Sequence, residues 1–177
     1  MKISTLAIAS ILAFGVTAAN AADQGSGKVT FNGSIIDAPC SIAADSVDQT
    51  VGLGAISTAA LENGGTSTPV QFNINLQGCV ITPGIKDKLS VTFTGMQSPY
   101  DQYSLGLLGG AAGASIELLT TNLQQVKLGE ATAPITLSPG VANPSLTFNA
   151  RLKGSTTPGE LVPGAFSVPA TFVLAYQ

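Results

Sequence analysis

The sequence predicts an all-β fold made of two packed antiparallel sheets, on three observations. Short apolar runs rich in Val, Ile, Thr and Phe recur along the chain. Turn pairs separate them: Gly64-Gly65, Pro83-Gly84, Ser98-Pro99, Gly109-Gly110, Pro139-Gly140, Pro158-Gly159 and Pro163-Gly164. Stretches with helical period are almost absent. Short strands at regular spacing with turn signals between them are the pattern of a sandwich or barrel.

The elements run in chain order. Val29 to Ile42 contains a first strand region that runs into Cys40, and Gln49 to Ala55 reads as a short second strand. Ala59 to Asn63 is predicted as one helical turn. From Val70 to Cys79, Phe72, Ile74 and Leu76 alternate with Gln71, Asn73, Asn75 and Gln77, the period of a strand with one buried face. Leu89 to Thr94 comes next, with Leu89, Val91 and Phe93 on one face. Ile116 to Thr120, Gln125 to Leu128 and Ser145 to Lys153 continue the series. About seven strands and one cysteine pair predict a sandwich of immunoglobulin-like type.

The last strand is the most informative. Phe166, Val168, Ala170, Phe172, Leu174 and Tyr176 take the even positions, and Val173 is the one large apolar residue out of phase. The chain stops at Gln177, so nothing after this strand can cover its edge. An uncovered apolar edge is an aggregation site, and its cover is the functional question.

Met1 to Ala21 reads as a secretory leader. Lys2 gives the positive start, Ile3 to Val16 the apolar stretch, and Ala19-Asn20-Ala21 the small-x-small cleavage pattern. Its removal takes one Lys and no acid from a formal net charge of −3. An acidic chain without clustered Lys or Arg argues against a nucleic-acid partner. Only 10% of residues are charged, against roughly 25% in ordinary soluble domains, which suggests a surface covered by neighbours. Cys40 and Cys79 come after an export signal, and an oxidising compartment predicts that they pair. Closing that loop stabilises by roughly 3–4 kcal/mol.

No catalytic chemistry is legible. The chain has no His, which excludes Ser-His-Asp and Cys-His arrangements, and two isolated Cys cannot complete a zinc site. No cofactor or metal is expected. Asp37, Asp45, Asp48, Glu62, Asp87, Asp101, Glu117, Glu130 and Glu160 are scattered along turn-like stretches and read as solvated acids. Gly52-Leu-Gly54 and Gly109-Gly110 lack the Lys and the strand–loop–helix context of a phosphate loop. Tyr100 and Tyr103, beside Asp101 and Gln102, read as a surface loop ahead of a sugar-binding one.

One segment stands apart from the domain. Residues 22–33 are polar and glycine-rich, yet Asp23, Gly25, Gly27, Val29 and Phe31 keep strand phase with Gly33 and Ile35. The glycines let a backbone lie close to whatever it covers. A strand without a home at one end complements an edge without a neighbour at the other. Inserted into the next copy, the arm makes a head-to-tail contact that does not close and generates filaments.

Four motifs carry a family resemblance: Gly27-Lys-Val-Thr-Phe-Asn-Gly-Ser-Ile-Ile-Asp-Ala-Pro-Cys40-Ser-Ile42, Asp48-Gln-Thr-Val-Gly-Leu-Gly54, Phe72-Asn-Ile-Asn-Leu-Gln-Gly-Cys79, and a C-terminal strand with Tyr176 next to last and Gly164 fourteen places from the end. In this order and spacing they resemble chaperone–usher pilins, in particular the major subunits of type 1 and P-type fimbriae. The resemblance implies an incomplete immunoglobulin-like sandwich that lacks its last strand and is completed by a donor strand from another chain. It implies a leader (1–21), a donor arm (22–33) and a pilin domain (34–177). It places Asp23, Gly25, Gly27, Val29 and Phe31 of the arm in a neighbour's groove. The acceptor groove and chaperone-binding strand are then Gly164, Phe166, Val168, Ala170, Phe172, Leu174, Tyr176 and Gln177, whose carboxylate the chaperone holds. The implied partners are neighbouring pilin subunits, a periplasmic chaperone, an outer-membrane usher and a tip adaptor or adhesin. The expected function is a structural fimbrial subunit, exported through the periplasm to the bacterial surface and supporting adhesion. The alternatives are a minor adaptor, a terminator or, less in keeping with an arm and a single domain, an adhesin. A secreted enzyme lacks a constellation.

Overall fold

The computed structural model describes residues 26–177; the expected leader, Asp23 and Gly25 lie outside the described residues. The chain divides into two units, residues 1–35 and residues 36–177. Of the first, residues 26–35 carry no regular structure, and Val29, Phe31 and Ile35 are exposed.

The second unit holds nine strands. In chain order they are β1 (Ser41–Ile42), β2 (Val70–Gln77), β3 (Lys88–Gly95), β4 (Leu105–Gly106), β5 (Ala114–Thr120), β6 (Gln125–Val126), β7 (Ile135–Thr136), β8 (Ser145–Gly154) and β9 (Ala170–Tyr176). Two helical turns precede β2: α1 (Ala44–Val47) and α2 (Thr58–Leu61). The second is capped by Ser57 Oγ, which accepts from the Ala60 N–H at 3.3 Å, and it runs into a 3-10 turn over Glu62–Gly64.

The strands form two antiparallel sheets. One runs β1-β2-β8-β5-β4, with β6 also on β5; the other runs β7-β3-β9. Inner faces meet in one core of Ile74, Leu76, Leu89, Val91, Phe93, Leu105, Ile116, Leu118, Leu146, Phe148 and Leu152. Its centre is aromatic. The Phe93 ring lies edge-on to Phe148 at 5.1 Å and near Phe172 at 6.2 Å, and Phe72 stacks on Phe148 at 5.9 Å. Cys40 and Cys79 are joined in a disulfide. The backbone of Val80 donates to Pro39 O at 2.9 Å beside it.

The outer face of the larger sheet is polar and internally satisfied. Glu117 is buried between Arg151 Nε and Lys153 Nζ, each at 2.8 Å. A buried carboxylate needs such partners, because its hydration is lost. Ser145 Oγ donates to Asn75 Oδ1 at 2.8 Å, and Thr147 Oγ1 to Asn73 Oδ1 at 3.0 Å.

Four expectations are corrected. Glu117, read as a solvated acid on a turn-like stretch, is buried within β5, where Arg151 and Lys153 supply the opposite charge. The strand region expected over 29–42 reduces to β1, because no ladder partner meets residues 26–36 among the described residues. The strand expected over Gln49–Ala55 is absent for the same reason, although Val51 and Leu53 still alternate inward. One helical turn was expected before the sheets; there are two, and α1 at four residues is too short to show a period.

An open groove along the C-terminal strand

The C-terminal strand is paired along one edge over its whole length. Between Val162 and Ser167 it pairs with the 108–112 loop: Val162 N–H donates to Ala112 O at 3.0 Å, Gly110 N–H to Ala165 O at 2.9 Å and Ser167 N–H to Leu108 O at 2.9 Å. From Ala170 to Tyr176 it pairs with β3, Phe172 opposite Phe93 and Leu174 opposite Val91. Gln177 and Lys88 exchange both backbone hydrogen bonds, at 2.8 and 3.2 Å.

That last pair sets the phase of the ladder. In an antiparallel pair, hydrogen-bonded and non-hydrogen-bonded positions alternate. Residues 171, 173, 175 and 177 therefore bond to β3. The N–H and C=O groups of Ala170, Phe172, Leu174 and Tyr176 point the other way, and none has a backbone partner among the described residues. Across from them run residues 48–56, whose backbone groups likewise bond to no other backbone group among the described residues. Two rails of unpaired backbone thus face each other.

The space between the rails is lined by apolar side chains. Under Val168, Ala170 and Phe172 lies a cavity of about 220 Å³ floored by Phe72, Phe93, Leu105, Ile116 and Leu118 and walled by Val51 and Leu53. Well-packed cores hold few voids larger than a water, whose share of liquid is about 30 Å³; this one is a core with a piece missing. The opening continues past Gly164 to Pro169 against Asp48 to Gly54. Its far end meets Ile56, Leu61, Leu107 and Leu161. At the near end it meets Ile36, Ile42, Leu174 and Tyr176. The side chains of Phe166, Val168, Phe172, Leu174 and Tyr176 all pack on the core yet remain only half-buried. Val173 faces out and is exposed.

Gly164 stands at the far end of the groove and Tyr176 at the near end. A Cβ on Gly164 would collide with the carbonyl carbon of Gly110, so only glycine permits the approach that closes the far end. Tyr176 buries its hydroxyl without a hydrogen-bond partner among the described residues, and loss of water pushes its phenol pKa up.

This geometry, a two-sheet sandwich with one strand-wide slot opening onto its core, has counterparts among known proteins. Residues 29–177 match the model of the fimbrial protein family. The chain belongs to the fimbrial protein family. The subunit is 51% identical to the fimbria A protein of Serratia marcescens and 44% identical to the major MR/P fimbria protein of Proteus mirabilis, each over the full length of both chains. It superposes with a TM-score of 0.74 on a chain from a chaperone–usher pilus whose structure addresses rod uncoiling, at 36% identity, covering 87% of this chain and 97% of that one. The fold is the incomplete immunoglobulin-like sandwich of such pilins, and the protein is a structural subunit of an extracellular fimbria. The adaptor, terminator and adhesin alternatives are not favoured.

The expected site residues divide between the two units. Cys40 and Cys79 are bonded to each other. Gly164, Phe166, Val168, Ala170, Phe172, Leu174 and Tyr176 line the groove, and Gln177 ends its paired edge. Gly27, Val29 and Phe31 lie in the segment without regular structure; Asp23 and Gly25 are outside the described residues. The second rail, 48–56, is the part of the site that reading the sequence missed. The inward alternation of Val51 and Leu53 was its signal.

The tyrosine loop is internally occupied. Asp101 accepts from Ser104 Oγ at 2.6 Å, Gln125 Nε2 at 2.7 Å and the Tyr103 N–H at 3.0 Å. Burial alone would raise its pKa, but these hydrogen bonds outweigh burial and hold the carboxyl below its ordinary value. Lys127 Nζ sits 4.7 Å from the Tyr103 ring centre. Asp101 and the Tyr103 ring are thus engaged within the domain, while Tyr100 is exposed.

Proposed function

We propose that the subunit polymerises head to tail by donor-strand exchange. Residues 1–21 direct export and are removed, residues 22–33 form the donor arm, and residues 34–177 form the pilin domain. The arm of one copy fills the groove of the next, with Asp23, Gly25, Gly27, Val29 and Phe31 turned inward and its backbone bonding to both rails. Adding a strand to an open edge gives affinity through backbone bonds, and alternate side chains in pockets give specificity. The observation that carries this reading is the pair of unpaired rails over an apolar cavity. It also supports a chaperone in transit, because a free subunit would expose the same edge. A periplasmic chaperone lends the missing strand and binds the Gln177 carboxylate. An outer-membrane usher exchanges it for the arm, and a tip adaptor or adhesin takes the end of the fibre. The role is structural and non-enzymatic.

The test is deletion of Ala22 to Phe31 with the leader retained. The shortened chain should still be recovered bound to a chaperone but form no fibres by electron microscopy. Fibres from the shortened chain would remove the arm from the assembly.

A further inference from the structure

On the assembly just proposed, we infer that Lys28 of one copy pairs with Asp48 of the copy that receives its arm, and that this pair sets the position of the arm along the groove.

At the near end of the groove Lys86 is already paired with Asp37 at 2.9 Å, and along the two rails the charges are one-sided. Residues 43–62 carry Asp45, Asp48 and Glu62 and no Lys or Arg; residues 161–177 carry no charged side chain at all. Asp45 is engaged, accepting from Ser46 Oγ at 3.1 Å and Asn75 Nδ2 at 3.3 Å. Asp48 is exposed and makes no side-chain hydrogen bond or ion pair among the described residues. Lys28 is the one cationic side chain between residues 22 and 33.

Position and phase agree with the charges. Asp48 lines both the cavity beneath Val168 to Phe172 and the opening beside Gly164 to Pro169, so it stands opposite the middle of the C-terminal strand. Lys28 stands at the middle of the arm. A centred arm brings the two together whichever way it runs, and the flexible lysine stem covers a small offset. Val51 and Leu53 turn inward while Asp48 and Thr50 are exposed. With Val29 and Phe31 inward, Lys28 falls on that same outer side. A shift of two residues along the groove keeps every side chain in phase, so backbone bonding and alternation alone do not choose among such positions. A charge pair on the rim does.

The test is the growth rate of fibres from the full chain, followed by light scattering. Lys28→Glu and Asp48→Lys should each slow growth roughly tenfold at low ionic strength, because like charges then meet on the rim and steering is lost. The double variant Lys28→Glu/Asp48→Lys should recover to within about twofold of the wild type, and high salt should shrink the single-variant defects. Wild-type growth by Asp48→Lys, or a double variant no faster than either single one, overturns the pair and leaves the groove reading standing. Growth by the arm-deleted chain overturns the groove reading itself.

Discussion

β8 and β9 are written in the same code and meet different fates. Each carries an apolar residue at every second position, β8 with polar residues between them and β9 with Val173 and Ala175 as outward exceptions. β8 lies between β2 and β5, and its inward Leu146, Phe148, Ala150 and Leu152 are no more than 5% exposed. β9 has β3 on one side only, and its inward Phe172, Leu174 and Tyr176 stay half-buried. Alternation therefore assigns a face to a strand and leaves open whether that face is finished. What separates the two is a neighbour, and for β9 that neighbour is supplied by another chain in the assembly proposed here.

The comparison breaks most sharply by truncating one phenylalanine in each strand. Phe148→Ala removes a ring from the closed core and should cost about 3–5 kcal/mol, read as a loss of stability in urea for the free subunit and for the fibre alike. Phe172→Ala should cost the free subunit roughly half as much, since that ring is only part-buried, yet weaken the fibre as strongly as Phe148→Ala. Equal costs for the two variants in the free subunit would mean that the groove is already filled. Next in size is Gly164→Ala. The added methyl runs into the Gly110 backbone and should cost about 1–3 kcal/mol. Amide exchange should locate the loss at 108–112 and 162–167, with β8 unaffected. The smallest effect lies beside the finished sheet. Asp101 has a lowered folded pKa, so its contribution is present above the unfolded value of about 4 and is lost as pH falls through the folded one. Asp101→Asn should flatten the stability–pH curve of the subunit below about pH 4 while leaving fibre growth at neutral pH unchanged.

The long strands were legible because seven to ten residues are enough to show a period. β2, β3, β5, β8 and β9 all lie where Ile74, Val91, Leu118, Phe148 and Leu174 place them. The two-residue β1, β4 and β7 and the single turn α1 are fixed by partners distant in sequence, and four residues or fewer carry no period. Val51 and Leu53 show a different limit. Their alternation reads as a strand, and the side chains do turn inward, but the hydrogen bonds that would make it one belong to a partner the domain lacks. The groove was half legible for the same reason: the residues of β9 announce an inward face, and nothing local announces the wall opposite.

The C-terminal strand is fastened at both extremities, by the glycine contact at Gly164 and by the paired backbones of Gln177 and Lys88. Held taut in that way, it acts as a ruler. From Gly164 to Tyr176 it spans about 40 Å at the rise of an extended strand, and a twelve-residue arm inserted as a strand would span about 36 Å. In the assembly proposed here a groove of that length takes an arm of about that many residues, and two residues added between Phe31 and Ile36 would lengthen the tether between neighbouring domains without altering a single contact inside the slot.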